Sequence, residues 1–218
     1  MTDCLETERL ILHRHIFEDG ALDCLFSKKK IKSSPRALAK LIKRNNVVFG
    51  GIIGWWIDVS SVYSAGHHLV QDEKAWRLKR HLQYYIYEKE SQKCIGIFCA
   101  LIDKNEAYVL FWLSLEGQHK GYSSEITKET DKELFLTLGI KKVKYECFSF
   151  NPYFSKVSSF LKANGYTVVK NDTKSTVWEK TNNRYYEENQ IMPAPFIEQK
   201  KNNLLFQKVQ DIFSLFRC

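Results

Sequence analysis

Between Gln118 and Ser124 the chain reads Gln-His-Lys-Gly-Tyr-Ser-Ser, a set of residue types suited to holding an anion. The apolar segment Phe111 to Leu115 (FWLSL) runs into it, and a helical pattern leaves it. Backbone N–H groups at a helix start have no intrahelical acceptors, and the helix dipole adds partial positive charge. Gly121 lets the main chain approach a phosphate closely, and Lys120 adds a formal charge. Ser123 and Ser124 are small and their hydroxyls can donate. Taken alone, the same residues also describe an ordinary tight turn between a strand and a helix.

The elements that must position this loop are legible from periodicity. Glu8 to His13 (ERLILH) reads as a first strand, and Ile16, Phe17, Leu22, Leu25 and Phe26 fall at helix-like spacing. A second short helix is expected after Ser34 and Pro35, an N-cap followed by a first-turn proline. Residues 45–71 resist assignment: an apolar glycine-rich run leads into a Ser/His/Gly segment containing His67 and His68, which reads as a loop. From His81, three apolar strands separated by the charged turns ESQK and DKNE predict an antiparallel meander. A helix follows, with Ile126, Thr130, Leu134 and Leu138 in four-residue steps and Gly139 at its expected C-cap. Then come a strand (Ile140 to Phe148), a helix ending at Gly165, and a hairpin around NDTK that ends near Thr181. Residues 1–181 therefore read as one mixed α/β domain. Residues 182–218 read as a polar linker and an amphipathic helix with Leu205, Val209, Ile212 and Phe216 on one face. That helix either docks on its own domain or serves as a contact surface.

Composition bounds the function classes. The chain has 218 residues, 44% hydrophobic and 27% charged, ordinary values for a globular protein that buries about 70% of its unfolded surface. Its net charge of +8 attracts polyanions without saying which. The six cysteines form no C-x-x-C pair and stand apart from zinc-ligand spacing, so free thiols in a reducing cytoplasm are expected. The longest apolar run, Val47 to Ile57, is far shorter than the ~20 residues of a membrane span. The basic run Lys74 to His81 holds one aromatic and reads as a solvated face, so no nucleic-acid partner is expected.

The loop, taken with its surroundings, resembles the acetyl-CoA signature of the GNAT N-acetyltransferases, Q/R-x-x-G-x-G/A. Trp112, Leu113, Gln118, Lys120, Gly121, Tyr122 and Glu125 match the fuller run of the RimJ/RimL-like subgroup, while His119 and Ser123 replace a Gly and an Ala. TERLILHR (Thr7 to Arg14), CIGIF, LGIKKVKYECF and the later NGY are similar to that subgroup's other landmarks. The resemblance covers about residues 7–181 and is poor over 45–71.

What the resemblance implies is a GNAT fold, a mostly antiparallel twisted sheet of about seven strands flanked by helices. It further implies direct transfer of an acetyl group from acetyl-CoA to a primary amine, a protein N-terminal α-amine or a small amine, without a metal. Cofactor contacts would come from Leu113, Ser114, Gln118, His119, Lys120, Gly121, Tyr122, Ser123, Ser124 and Asn151, with Tyr108, Ser114 and Ser155 as candidate catalytic residues. The pyrophosphate would lie on the amides of residues 119–124, and the pantetheine arm on the strand edge near Leu113 and Ser114.

Three positions depart from the pattern. Tyr108 stands near the place of a basic Glu in related enzymes, and a phenol with pKa ~10 is a poor base at neutral pH. The related tyrosine that reprotonates the thiolate would fall near Leu161. Asn151 and Ser155 show N-x-x-x-S rather than N-x-x-S spacing, and Asn151 is equally suited to capping the following helix. The missing base favours an α-amine, with pKa near 8, over a lysine-type amine near 10.4. The alternative is a non-catalytic GNAT-fold protein that binds CoA or a protein partner. As an assembly, a monomer or a homodimer is expected.

Overall fold

The computed structural model describes residues 2–14, 22–26, 29–33, 39, 43, 76–78 and 80–189. The strands are β1 (Cys4–Glu6), β2 (Leu10–His13), β3 (Leu22–Phe26), β4 (Lys29–Ser33), β5 (His81–Glu88), β6 (Cys94–Asp103), β7 (Glu106–Leu113), β8 (Lys142–Phe148), β9 (Thr167–Asn171) and β10 (Ser175–Thr181). The helices are α1 (Tyr122–Lys132), α2 (Phe154–Ala163) and α3 (Asn182–Asn189). Eight strands form one sheet in the order β1-β2-β5-β6-β7-β8-β10-β9, one more than the sequence suggests, and β3 pairs with β4 in a separate hairpin.

Every pairing in the large sheet is antiparallel except that between β7 and β8. A parallel pair needs a long crossover, and α1 supplies it. The β7–β8 ladder runs from Glu106↔Lys142 to Val109↔Tyr145 and stops there. Both strands continue, β7 to Leu113 against β6 and β8 to Phe148 against β10. Past Val109 and Tyr145, then, β7 and β8 part, and among the described residues no strand pairs with β7 on that side from Leu110 to Leu113.

Alternation along β7 sends Ala107, Val109 and Leu113 into the main core with Ile126, Leu134, Phe135, Leu161 and Tyr166 from the helical side. Phe111 packs edge-on against both Tyr145 of β8 and Phe160 of α2, with ring centroids 6.2 and 6.0 Å apart. These rings close the helical side of the split. The opposite face of β5 and β6 is buried as well, with Gln83, Tyr85, Tyr87, Ile97 and Cys99 all 5% exposed or less.

Four expectations change. Leu22 to Phe26, read as helical from its spacing, is β3: pairing with Lys29–Ser33 overrides a local periodicity that suits either state. β1 went unread because three residues carry no period. The predicted helix before Gly139 is α-helical only to Lys132 and ends in a π turn over Glu133–Thr137, where the buried Glu133 carboxylate accepts hydrogen bonds from the Thr2 amide and hydroxyl at 2.7 and 2.8 Å. The stretch expected as linker begins as α3, whose buried Tyr185 lies 4.9 Å from the ring of Phe135. The helix expected after Ser34, apart from helical Ala39 and Lys43, and the amphipathic helix over residues 205–216 lie outside the described residues, as do residues 45–71.

Candidate active site

β7 ends at Leu113 and enters a single 3-10 turn, Leu115–Gly117, before the loop reaches α1. Two residues of that loop have positive φ, His119 at +62° and Gly121 at +79°. Gly121 is the N-cap of α1 in the left-handed conformation, where a side chain costs about 1 kcal/mol of strain, so the glycine is required by the turn itself. The consequence lies in the main chain. Gly117 and Gln118 donate to the carbonyls of Ser114 and Leu115, and Ser124 donates to that of Gly121 at 3.2 Å. The amides of His119, Lys120, Gly121, Tyr122 and Ser123 between them have no acceptor among the described residues. Five consecutive unspent donors at a helix N-terminus are an arrangement suited to an anion.

Side chains from three elements brace this loop. The Gln118 amide donates to the Leu113 carbonyl at 3.0 Å, tying the loop to the end of β7. Lys120 is 2.8 Å from Glu88 at the end of β5, and the Tyr122 hydroxyl donates to the same carboxylate oxygen at 2.6 Å. The bonds from Lys120, Ser91 and Tyr122 draw the Glu88 carboxyl down to about 2. Arg9, just before β2, donates from Nε to Glu125 at 2.5 Å and lies 4.6 Å above the Tyr122 ring. Its Nη2 comes within 3.6 Å of where a Cβ on Gly121 would stand. Burial raises the Glu125 carboxyl, but hydrogen bonds from Thr7 and Arg9 outweigh it and hold the group below its ordinary range. Sequence reasoning singled out Lys120 as the charge on the anion and missed Arg9 and Glu88. The structure gives Lys120 a carboxylate partner and sets Arg9 beside the glycine. Arg9 is invisible to local pattern because it lies more than a hundred residues away from the loop.

No protein-family model matches the chain, and no curated protein sequence does. Solved structures do. The microcin C7 self-immunity acetyltransferase MccE, in complex with acetyl-CoA and AMP, superposes with a TM-score of 0.64 at 17% identity over 80% of this chain and 93% of that one. The ribosomal α-N-protein acetyltransferase RimL, in complex with coenzyme A, gives 0.64 at 14% identity over 82% and 97%. The ribosomal-protein-S5-alanine acetyltransferase of Vibrio fischeri gives 0.62 at 14% identity over 82% and 96%. The chain has the GNAT fold.

Within the GNAT fold the remaining sequence candidates separate. Leu113 and Ser114 lie at the mouth of the β7–β8 split, but the Ser114 amide already donates to Ile95 at 2.7 Å. Pairing with an extended ligand is left to the β7 edge before it. The Ser114 hydroxyl is buried and makes no hydrogen bond among the described residues. Tyr108 sits lower, in the paired part of β7. Burial raises its phenol, which favours the protonated form over the phenolate a base would need. Lys144, 3.5 Å from that phenol, is claimed by Glu106 at 2.7 Å. Asn151 spends its side chain locally: its oxygen accepts from the Tyr153 amide at 2.9 Å, shaping the entry to α2, and its amide group reaches Cys147 Sγ at 3.9 Å. Ser155 is exposed in the first turn of α2, and Leu161 is fully buried in the core.

Trp76, the aromatic of the basic run, is buried with its ring 5.6 Å from that of Tyr84 and the Arg14 guanidinium 4.9 Å over it, so it offers no stacking platform for a base. Cys4, Cys94, Cys99 and Cys147 are free thiols. No helix among the described residues is long and apolar enough to cross a membrane.

Proposed function

We propose that the protein transfers the acetyl group of acetyl-CoA directly to a primary amine, with a protein N-terminal α-amine as the favoured acceptor. The observation that carries this reading is the run of five amides at residues 119–123 without an acceptor among the described residues, set beside the stretch of β7 past Val109 where β8 has left it, in a GNAT fold. The amides suit a diphosphate, with Arg9 as a further cation beside it. The residues Leu110 to Ser114 span about 13 Å at the usual strand rise, room for an extended amide-bearing arm to pair with the strand edge. Acetyl-CoA supplies an activated thioester. The chain's own contribution is to fix that thioester against the incoming amine and to offer a backbone N–H near Leu113 to the developing oxyanion. The described residues hold no cluster of three or more metal-ligating side chains, and the proposed transfer invokes no metal.

A second reading, a CoA-binding protein without turnover, draws on the protonated Tyr108 and the buried Leu161, neither of which manages a proton for the reaction. Labelled acetyl-CoA incubated with peptides of varied N-terminal residue and with small amines separates the two. Label appearing on an α-amine supports the transferase. CoA binding by calorimetry without transfer to any acceptor supports the binder, and the absence of CoA binding ends both.

A further inference from the structure

We infer that Phe148 and Phe150 select the acceptor, favouring a protein N-terminus with a large apolar side chain at its second or third residue; this rests on the transferase reading above. Phe111, Tyr145 and Phe160 close the β7–β8 split on the helical side, so an amine reaches it from the opposite face. Tyr145 belongs to the main core and Cys147 is buried with the same parity, and alternation turns Lys144, Glu146 and Phe148 of β8 to that opposite face.

The two directions along this face differ in chemistry. Toward the start of β8, Lys144 and Lys142 stand 2.7 and 3.9 Å from Glu106 and 3.7 and 3.6 Å from Glu179, so these charges compensate one another. Toward its end, the half-buried Phe148 stacks on Phe150, with ring centroids 5.3 Å apart and planes 13° from parallel. Phe150 is 67% exposed.

The turn that carries Phe150 is fastened on both sides. The Ser149 amide and hydroxyl donate to the carbonyls of Lys174 and Thr173 at 2.8 and 2.7 Å, in the turn between β9 and β10. The Asn151 amide donates to the Phe148 carbonyl at 3.0 Å, and the Asn151 side chain accepts from the Tyr153 amide at 2.9 Å. A ring stacked on a second ring and held in water by a braced turn is apolar surface whose ordering is already complete, which lowers the cost of binding to it.

Phe148 lies three residues past the Val109↔Tyr145 pair where β8 closes onto β7, roughly 10 Å at the usual strand rise. An α-amine at that closure, with its chain extended along β8, brings the side chain of its second or third residue level with the rings. An apolar side chain there loses water together with Phe150. A charged one gives up water against two rings that offer it no hydrogen bond.

The test uses the full chain with labelled acetyl-CoA and one peptide framework carrying Gly, Ser, Asp, Lys, Leu or Phe at the second or, separately, the third residue. Wild-type kcat/KM should be about tenfold higher for Leu or Phe than for Gly at one of these positions. Phe150→Ala should bring that preference below threefold with CoA affinity by calorimetry unchanged, and Phe150→Leu, the second variant, should retain most of it. Phe150 is largely in water, so both variants should keep the wild-type circular dichroism. A wild-type chain without the preference, or a Phe150→Ala chain that keeps it above threefold, overturns the inference and leaves the transferase reading standing. Transfer to small amines alone does the same, as does a CoA affinity that falls in step with the preference, which would put the rings on the cofactor. A wild-type chain that binds CoA but acetylates no peptide or amine removes the transferase reading, and the inference with it.

Discussion

At the head of α1 the candidate site is made of backbone, five amides exposed by two left-handed residues. At the β7–β8 split, where the proposed transfer would take place, the surroundings are made of side chains that only register brings together. The difference matters for what can be changed. A backbone site tolerates almost any side chain except at the residue that sets its curvature. A register-built site fails through individual carboxylates and their partners.

The largest effect should therefore fall on Gly121. Gly121→Trp forces a side chain onto a +79° φ and places an indole over the amides. CoA affinity measured by calorimetry should fall on the order of 100-fold, about 2.7 kcal/mol, with circular dichroism unchanged. Affinity within threefold of wild type would mean that the ligand does not use this loop.

A change in the core should do the opposite. Tyr166 donates to Asp131 at 2.6 Å, both are buried, and Lys180 lies 3.7 Å from the same carboxylate. Tyr166→Phe leaves that oxygen short of a donor and should cost about 2 kcal/mol, lowering Tm by roughly 5 °C while CoA affinity stays put. A matching loss of affinity would show that the loop and the core are one unit.

Arg9 tests whether side-chain charge adds to the amides. Arg9→Met should weaken CoA about tenfold and flatten the salt dependence of binding, leaving acetyl-pantetheine, which has no diphosphate, unaffected. Equal weakening of both ligands would make Arg9 a brace for the loop rather than a phosphate contact.

The smallest effect concerns the brace at Glu88. Its carboxyl is drawn from 4.5 to about 2 by Lys120, Ser91 and Tyr122, so its contribution to stability is present above pH 4.5 and lost as pH falls toward 2. Solvent screening limits that contribution to ~1 kcal/mol. Acid denaturation of Glu88→Gln should lack this increment between pH 4.5 and 2, and a pH profile parallel to wild type would contradict the pairing.

The same contrast explains what the sequence made legible. The meander, both helices flanking β8 and the final hairpin announce themselves through local period and turn residues, and the loop announces itself through Gly121. Arg9 and Glu88 do not. Arg9 reaches Gly121 across more than a hundred residues, and Glu88 closes a strand whose own pattern says only that it is a strand. Tyr108 shows the converse: position in a motif suggested a catalytic role, and burial in the paired part of β7 leaves its phenol protonated.

The central claim is that the amides of residues 119–123 take the diphosphate of CoA. Backbone amide resonances of the full chain, followed while CoA is added, test it residue by residue. The account predicts large downfield shifts confined to His119 through Ser123, reproduced by adenosine 3′,5′-bisphosphate plus pyrophosphate only in part. CoA binding that leaves those five resonances unmoved would contradict it.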